Sequence, residues 1–281
     1  MVGLFTVAPL FAWGATLDSK WIKEDLSKPD LSAKYWSGIQ EETVTLMAQP
    51  MVAPRPKETN TSSISVQSLH DGKWISFRLK WKDPEKNEAG RLGEFSDAVA
   101  MQFPIKSNEN PPPIFMGAKD NPVHLFHWRA QYQRDQEKGK PEMRDLYPNM
   151  SVDMYPMDFK DTGHLKAMTD ERKEVFSPGK IEGNPQSYRK FAVDEIFAEG
   201  FSTSSVSASH EAVGYGKWEN GRWTVVISRP LNEGEGGSIL QAGKNSFMGF
   251  AVWQGGKGEV GSRKSITMVW VPLSIAPAKG M

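Results

Sequence analysis

Lys264 stands within SFMGFAVWQGGKGEVGSRKSITMVWVPL, Ser246 to Leu273, a segment that otherwise reads as buried and strand-forming. A buried, unpaired ammonium is costly, so a lysine in such a place needs a chemical reason. One reason is donation to a metal, which requires the neutral amine. Burial and metal binding together can bring the ordinary pKa of ~10.4 down by several units. Met116 offers a complementary donor. It follows Pro111-Pro112-Pro113-Ile114-Phe115 and precedes Gly117, so the backbone is stiff on one side and permissive on the other. That arrangement suits a thioether presented to a flat ligand.

Alternatives stand beside both residues. Met101, in AVAMQFP, is a second candidate donor, yet its alternation with Val99 and Phe103 is also the pattern of a packed core methionine. Lys257, in Gly-Gly-Lys-Gly, reads as solvated. Arg263 could reach an anionic substituent, although a surface ion pair is the commoner fate of such a residue. Of the five histidines, His124 and His127 face opposite sides of a strand and do not form a joint metal site. His127, beside Trp128, keeps a possible pocket position. A low-spin haem is the group that takes two such axial donors, and an apolar slot between strands or loops can supply them. No HExxH, phosphate loop, Rossmann fingerprint or Ser-His-Asp order occurs.

The totals narrow the classes further. Thirty-four basic and 34 acidic residues balance, which gives no electrostatic footprint for nucleic acid. The absence of cysteine excludes iron–sulfur clusters, zinc–thiolate sites, disulfides and covalent c-type haem, so any haem is held non-covalently. The apolar run Val2 to Trp13 is too short to span a bilayer and ends in a small-x-small pattern at Ala12-Trp13-Gly14. Residues 1–15 therefore read as a truncated signal peptide, and the expected location is the periplasm or another extracytoplasmic compartment. No other segment approaches membrane-spanning length, so no span is expected in the mature chain.

The positioning elements read as strands. Ser63–Asp83 alternates about Asp71-Gly72 and predicts a hairpin whose Ile75, Phe77, Leu79 and Trp81 face the core; Gly216–Pro230 predicts another about Asn220-Gly221. SDAVAMQFP, Phe247–Trp253 and Ser265–Leu273 add strands, while Val193–Phe201 and Trp21–Leu26 read as short helices. The expected fold is all-β: an antiparallel β-sandwich forming one domain over 16–281, with a few short helices and a long irregular insertion at about 131–186.

FSDAVAMQFP (Phe95–Pro104), Met116-Gly117 followed by PVHLFHWRA (Pro122–Ala130), AEGFSTSSVS with GKWENGRWTVVISRPL, and FAVWQGGKGEVGSRKS (Phe250–Ser265) occur in that order. Together they resemble the haem-binding gamma subunits of the ethylbenzene dehydrogenase type, shared with dimethylsulfide dehydrogenase, selenate and chlorate reductases and nitrite oxidoreductase. The resemblance implies a non-catalytic electron-transfer subunit binding one haem b through Met116 and Lys264, with Met101 the alternative to Met116. It also implies a molybdenum catalytic (alpha) subunit, an iron–sulfur (beta) subunit and a soluble c-type cytochrome as redox partner. The rival class is a carbohydrate- or small-ligand-binding sandwich, for which ten tryptophans would supply stacking platforms.

Overall fold

The computed structural model describes residues 16–88, 90–105, 110–141, 143–149, 178–182, 184, 190–207, 210–232, 237–238, 240 and 241–279. The apolar leader and most of the 131–186 insertion lie outside them. Fourteen strands are formed among these residues: β1 (Leu17–Trp21), β2 (Glu42–Thr45), β3 (Met47–Ala48), β4 (Ser63–His70), β5 (Trp74–Lys82), β6 (Ala98–Pro104), β7 (Val123–Arg129), β8 (Val193–Ala198), β9 (Ser205–Val206), β10 (Val213–Glu219), β11 (Arg222–Pro230), β12 (Asn245–Trp253), β13 (Ser265–Ile266) and β14 (Val271–Ile275).

These strands form two layers joined through β12. Its first half, Asn245–Met248, pairs with β14 in the layer β10-β11-β5-β4-β1-β14, and Gly249–Trp253 pairs with β6 in the layer β6-β7-β8-β9. Pairing is antiparallel except around β1, which runs parallel to both β4 and β14, so the sandwich is mixed where an antiparallel one was expected. Alternation supplies the two inner faces. Ile75, Phe77, Leu79, Trp81, Trp223, Val225 and Ile227 come from one layer and Val99, Met101, Phe103, Phe126 and Trp128 from the other, all in a single core cluster. Phe77 meets Phe103 at 5.8 Å between ring centroids, and Trp223 meets Trp128 at 5.1 Å edge-on. Aromatic contacts of this kind add to area burial and lock the layers in register.

The second hairpin turns as expected, with Asn220 and Gly221 both at positive φ. The first is displaced by one residue: Asp71 N–H donates to the Trp74 carbonyl, so Gly72-Lys73 occupy the turn while the Asp71 carboxylate accepts the N–H groups of Lys73 and Trp74. Two expected helices are absent. Val193–Ala198 is β8, paired along β7 with every residue but one buried, so a partner strand outweighs weak local helix propensity. Of Trp21–Leu26, Trp21 ends β1 and residues 22–26 run on as bends and irregular chain. Conversely, the insertion opens with helix α1 (Ala130–Lys138), whose Gln133 fixes it to the sheet through Trp128 Nε1 and Gly216. The expected strand Ser265–Leu273 is broken at 267–270, where the Thr267 hydroxyl takes the Phe250 N–H in place of a ladder carbonyl.

After β12 the chain passes so close to Phe95 that a Cβ on Gly255 would lie 1.9 Å from the Phe95 carbonyl oxygen. Gly255→Ala is therefore expected to destabilise the fold by about 3 kcal/mol or more, since the clash is with backbone that cannot rotate away. A urea melt showing less than a third of that loss would contradict the close approach.

Candidate functional site

The outward face of the second layer carries the candidate site. Because β12, β6, β7 and β8 pair in register, their outward residues form rows: Ala251, Ala100, His127 in one, Gly249, Gln102, Leu125, Ile196 in the next, and Trp253, Ala98, Arg129 in a third. Ala100, Gly249 and Ala251 leave the centre of this surface low and flat. Flanking segments rise around it, contributing Gln49 and Val52, Ile114 to Met116, Phe201, Ser202 and Ser204, and Gly261, Ser262, Lys264, Ile266 and Thr267. They enclose a cleft of about 350 Å³, within the usual range for cofactor sites.

Met116 and Lys264 both line it. Met116 packs against Val123, Leu125, Ile196 and Ala198, at the β7–β8 side, and its own φ is +66°, a left-handed conformation unusual for a residue with a side chain. That backbone is held by three hydrogen bonds: Met116 N–H to Ile114, Gly117 N–H to Pro113 and Gly200 N–H to the Met116 carbonyl. Trp270 adds a fourth restraint on the loop by donating its indole N–H to the Pro112 carbonyl at 2.6 Å. An over-determined strained residue is typical of a side chain whose direction matters.

Lys264 comes from the other side. It immediately precedes β13, its carbonyl accepts the Gln49 N–H, and its Nζ lies 4.8 Å from the centre of the Trp253 ring. No carboxylate pairs with it among the described residues. Burial lowers its pKa from 10.5 to about 8. The neutral amine is thus far more accessible here than for a lysine in water.

Met101 is fully buried and packs in the inter-layer core with Val99 and Phe103. It also borders the cleft, between Ala100 and Gln102 on the outward face. Arg263 is engaged elsewhere, donating to the Gly258 carbonyl and lying 5.6 Å from the centre of the Phe95 ring.

His127 and Arg129 are the cleft residues that a reading of single motifs underrates. His127 stacks on Trp253 at 4.6 Å, and burial, then the charges of Arg129 and Lys264, hold its pKa well below the ordinary histidine value. Arg129 lies 3.2 Å from His127 Nδ1 and 3.3 Å from Asp194. A guanidinium can only donate, so Nδ1 accepts and the ring proton sits on Nε2. Held in that tautomer, His127 has no Nε2 lone pair for a metal. Strand alternation from Val123 through Leu125 was the available signal, because it puts His127 and Arg129 on one face.

The cleft thus has a floor of small residues, apolar walls, one thioether and one amine of lowered basicity. A profile of the family described as Ethylbenzene dehydrogenase matches residues 33–265. The chain belongs to the ethylbenzene dehydrogenase family. Family relatives include a protein provisionally named respiratory nitrate reductase heme subunit ORF7 from Haloferax mediterranei, 24% identical over 88% of this chain and 68% of that protein. The chlorate reductase gamma subunit of Ideonella dechloratans is 24% identical over 76% of this chain and 65% of its own length. The dimethylsulfide dehydrogenase gamma subunit of Rhodovulum sulfidophilum is 19% identical over 86% and 73%. The chain therefore spans roughly two thirds to three quarters of these relatives. Among solved structures, a family 9 carbohydrate-binding module from Caldicellulosiruptor kristjanssonii in complex with cellotriose aligns over 94% of both chains at 6% identity with a TM-score of 0.43, and carries no functional argument.

Proposed function

We propose that this member of the ethylbenzene dehydrogenase family is a non-catalytic electron-transfer subunit that binds one haem b non-covalently, with Met116 and Lys264 as the axial donors. The observation that carries the reading is the convergence of these two side chains, from separate loops, on one cleft floored by Ala100, Gly249 and Ala251. When bound, haem supplies a one-electron ferric/ferrous couple, with no open iron position if both side chains ligate.

The protein's own contribution is to prepare the donors and the surroundings. Lys264 Nζ must shed its proton to donate, and burial has already removed much of that cost. The Met116 thioether needs no proton change. Ile114, Phe115, Leu125 and Ile196 give the cleft apolar walls, which favour the less charged, reduced state of a bound group. Relatives named as heme and gamma subunits support assembly with other chains, proposed here to be an iron–sulfur subunit and a molybdenum catalytic subunit, with a soluble c-type cytochrome outside the complex. The apolar run Val2 to Trp13 supports an extracytoplasmic site of action. Among the described residues, no helix is long and apolar enough to cross a membrane.

The carbohydrate alternative finds little support in the tryptophans near the cleft. Trp128 is wholly buried, the Trp253 ring already carries His127 and Lys264, and Trp270 holds the Pro112 loop. Reconstitution with haem tests the proposal: a saturable one-equivalent Soret band of low-spin type is expected. Ala251→Trp, which raises an indole from the cleft floor, is expected to abolish that band while circular dichroism stays native. Absence of haem uptake by the unaltered chain, or undiminished uptake by Ala251→Trp, overturns it.

A further inference from the structure

The cleft holds charge of one sign. Arg129 and Lys264 are both among the residues that line it, and among the described residues no aspartate or glutamate does. A lysine that gives its lone pair to a metal is uncharged, so a cleft occupied as proposed above keeps a single cation, Arg129. Arg263, the guanidinium that sequence alone offers for an anionic substituent, is turned away onto the Gly258 carbonyl and the Phe95 ring.

Strand register fixes where Arg129 stands. On the floor made by β12, β6, β7 and β8, Met116 packs at the corner of Leu125 and Ile196, and Lys264 lies at the diagonally opposite corner, beside Trp253. The two corners left over differ. Gly249 and Gln102 form one, and it is uncharged, with the Gln102 amide donating to the Ile114 carbonyl. Arg129 forms the other, at the end of the row Trp253, Ala98, Arg129. Its side chain is 23% exposed and is held by three neighbours. Nη1 donates to the Tyr132 hydroxyl and lies 3.3 Å from Asp194 Oδ2, Nη2 lies 3.2 Å from His127 Nδ1, and the guanidinium carbon sits 4.5 Å from the centre of the Tyr132 ring. An ion pair with Asp194 engages Nη1 alone. Of the five N–H groups of a guanidinium, the one on Nε and one on Nη2 have no acceptor among the described residues.

We propose that Arg129 is the carboxylate anchor of the cleft, receiving a propionate of the bound haem and selecting acid-bearing over neutral macrocycles. This inference rests on the haem reading above and adds what two axial donors leave open. They fix the plane of a macrocycle and leave it free to turn within that plane; a charge at one corner removes the freedom. A carboxylate accepts two guanidinium N–H groups at once, which a lysine cannot match with the same geometry. Tyr132, Asp194 and His127 already fix the side chain, so little of its entropy remains to be lost on binding. The apolar walls strengthen the attraction by lowering the local dielectric.

The test compares iron protoporphyrin IX with its dimethyl ester, whose two capped propionates carry no charge, in spectral titrations of the full chain. The parent is expected to bind the acid form about tenfold or more tighter, the order of one charge-assisted hydrogen-bonded contact. Arg129→Gln, checked for native circular dichroism, should lose most of that preference through weaker binding of the acid form. Arg129→Lys keeps the charge without the fork and should retain part of it. Haem that does bind either variant should still be low-spin, because neither axial donor is touched. Equal affinity of the parent for acid and ester overturns the anchor while the haem reading stands, and it needs no variant. An Arg129→Gln chain that binds both forms more weakly by the same factor also overturns it, being the result of an arginine that only braces Asp194. Uptake of neither macrocycle by the parent overturns the anchor and the haem reading together.

Discussion

Alanine at Met116 or at Lys264 is expected to convert the haem-loaded chain from a low-spin to a high-spin spectrum, and to weaken haem retention by at least about 10–100-fold, the loss typical even of outer supporting groups. The fold should survive both changes. Met116 is on a surface loop at a strained φ, so removal of its side chain leaves the β-layers intact, and alanine at 264 removes a costly buried amine. His127 is not expected to substitute for the lost nitrogen, because Arg129 directs the ring proton onto Nε2. Met101→Leu is the control. It conserves volume within the core and should leave the spectrum unchanged. Low-spin spectra in both alanine variants would sink the ligand assignment, and a change in Met101→Leu alone would transfer the sulfur role to that residue.

The contrast between the two methionines shows what a linear sequence carries. Alternation of Val99, Met101 and Phe103 is a local pattern, and it correctly marks an inward row. The direction of Met116 depends on a loop whose hydrogen bonds run to Gly200 and whose wall is pinned by Trp270, 70 or more residues away. No local period encodes that. Lys264 was legible because an ammonium contradicts its apolar surroundings, but its neighbour Arg263 was not: the close approach of Phe95 decides where that guanidinium goes. The hairpins and core faces followed from period-two patterning. The helix expected at Val193–Phe201 failed because VDEIFA is short and ambiguous until β7 and β9 are seen on either side of it. The low floor of the cleft also escapes a single-strand reading, since Ala100, Gly249 and Ala251 become one surface only through the β6–β12 register.

Lys264→Leu should separate stability from ligation. In the haem-free chain the folded-state pKa of about 8 lies below the reference 10.5, so the unfolded chain holds the amine proton more tightly. Below pH 8 both states are protonated and the folded chain bears the full cost of enclosing the charge. Between pH 8 and 10.5 the unfolded state binds more protons, and stability of the parent chain rises with pH before levelling off. Leucine removes the titrating group and the attraction to Trp253 with it, the latter a loss of about 0.5–1 kcal/mol. The net expectation is a haem-free variant about 1–2 kcal/mol more stable than the parent at pH 7, with the advantage fading above pH 8. Haem reverses the order, because a ligand that binds only the folded state stabilises the chain that holds it more tightly. Denaturant melts at pH 7 and pH 10, with and without haem, measure all four values. A variant less stable than the parent without haem at pH 7 would mean that Lys264 is enclosed as a packing residue, and that its lowered basicity is not held in reserve for coordination.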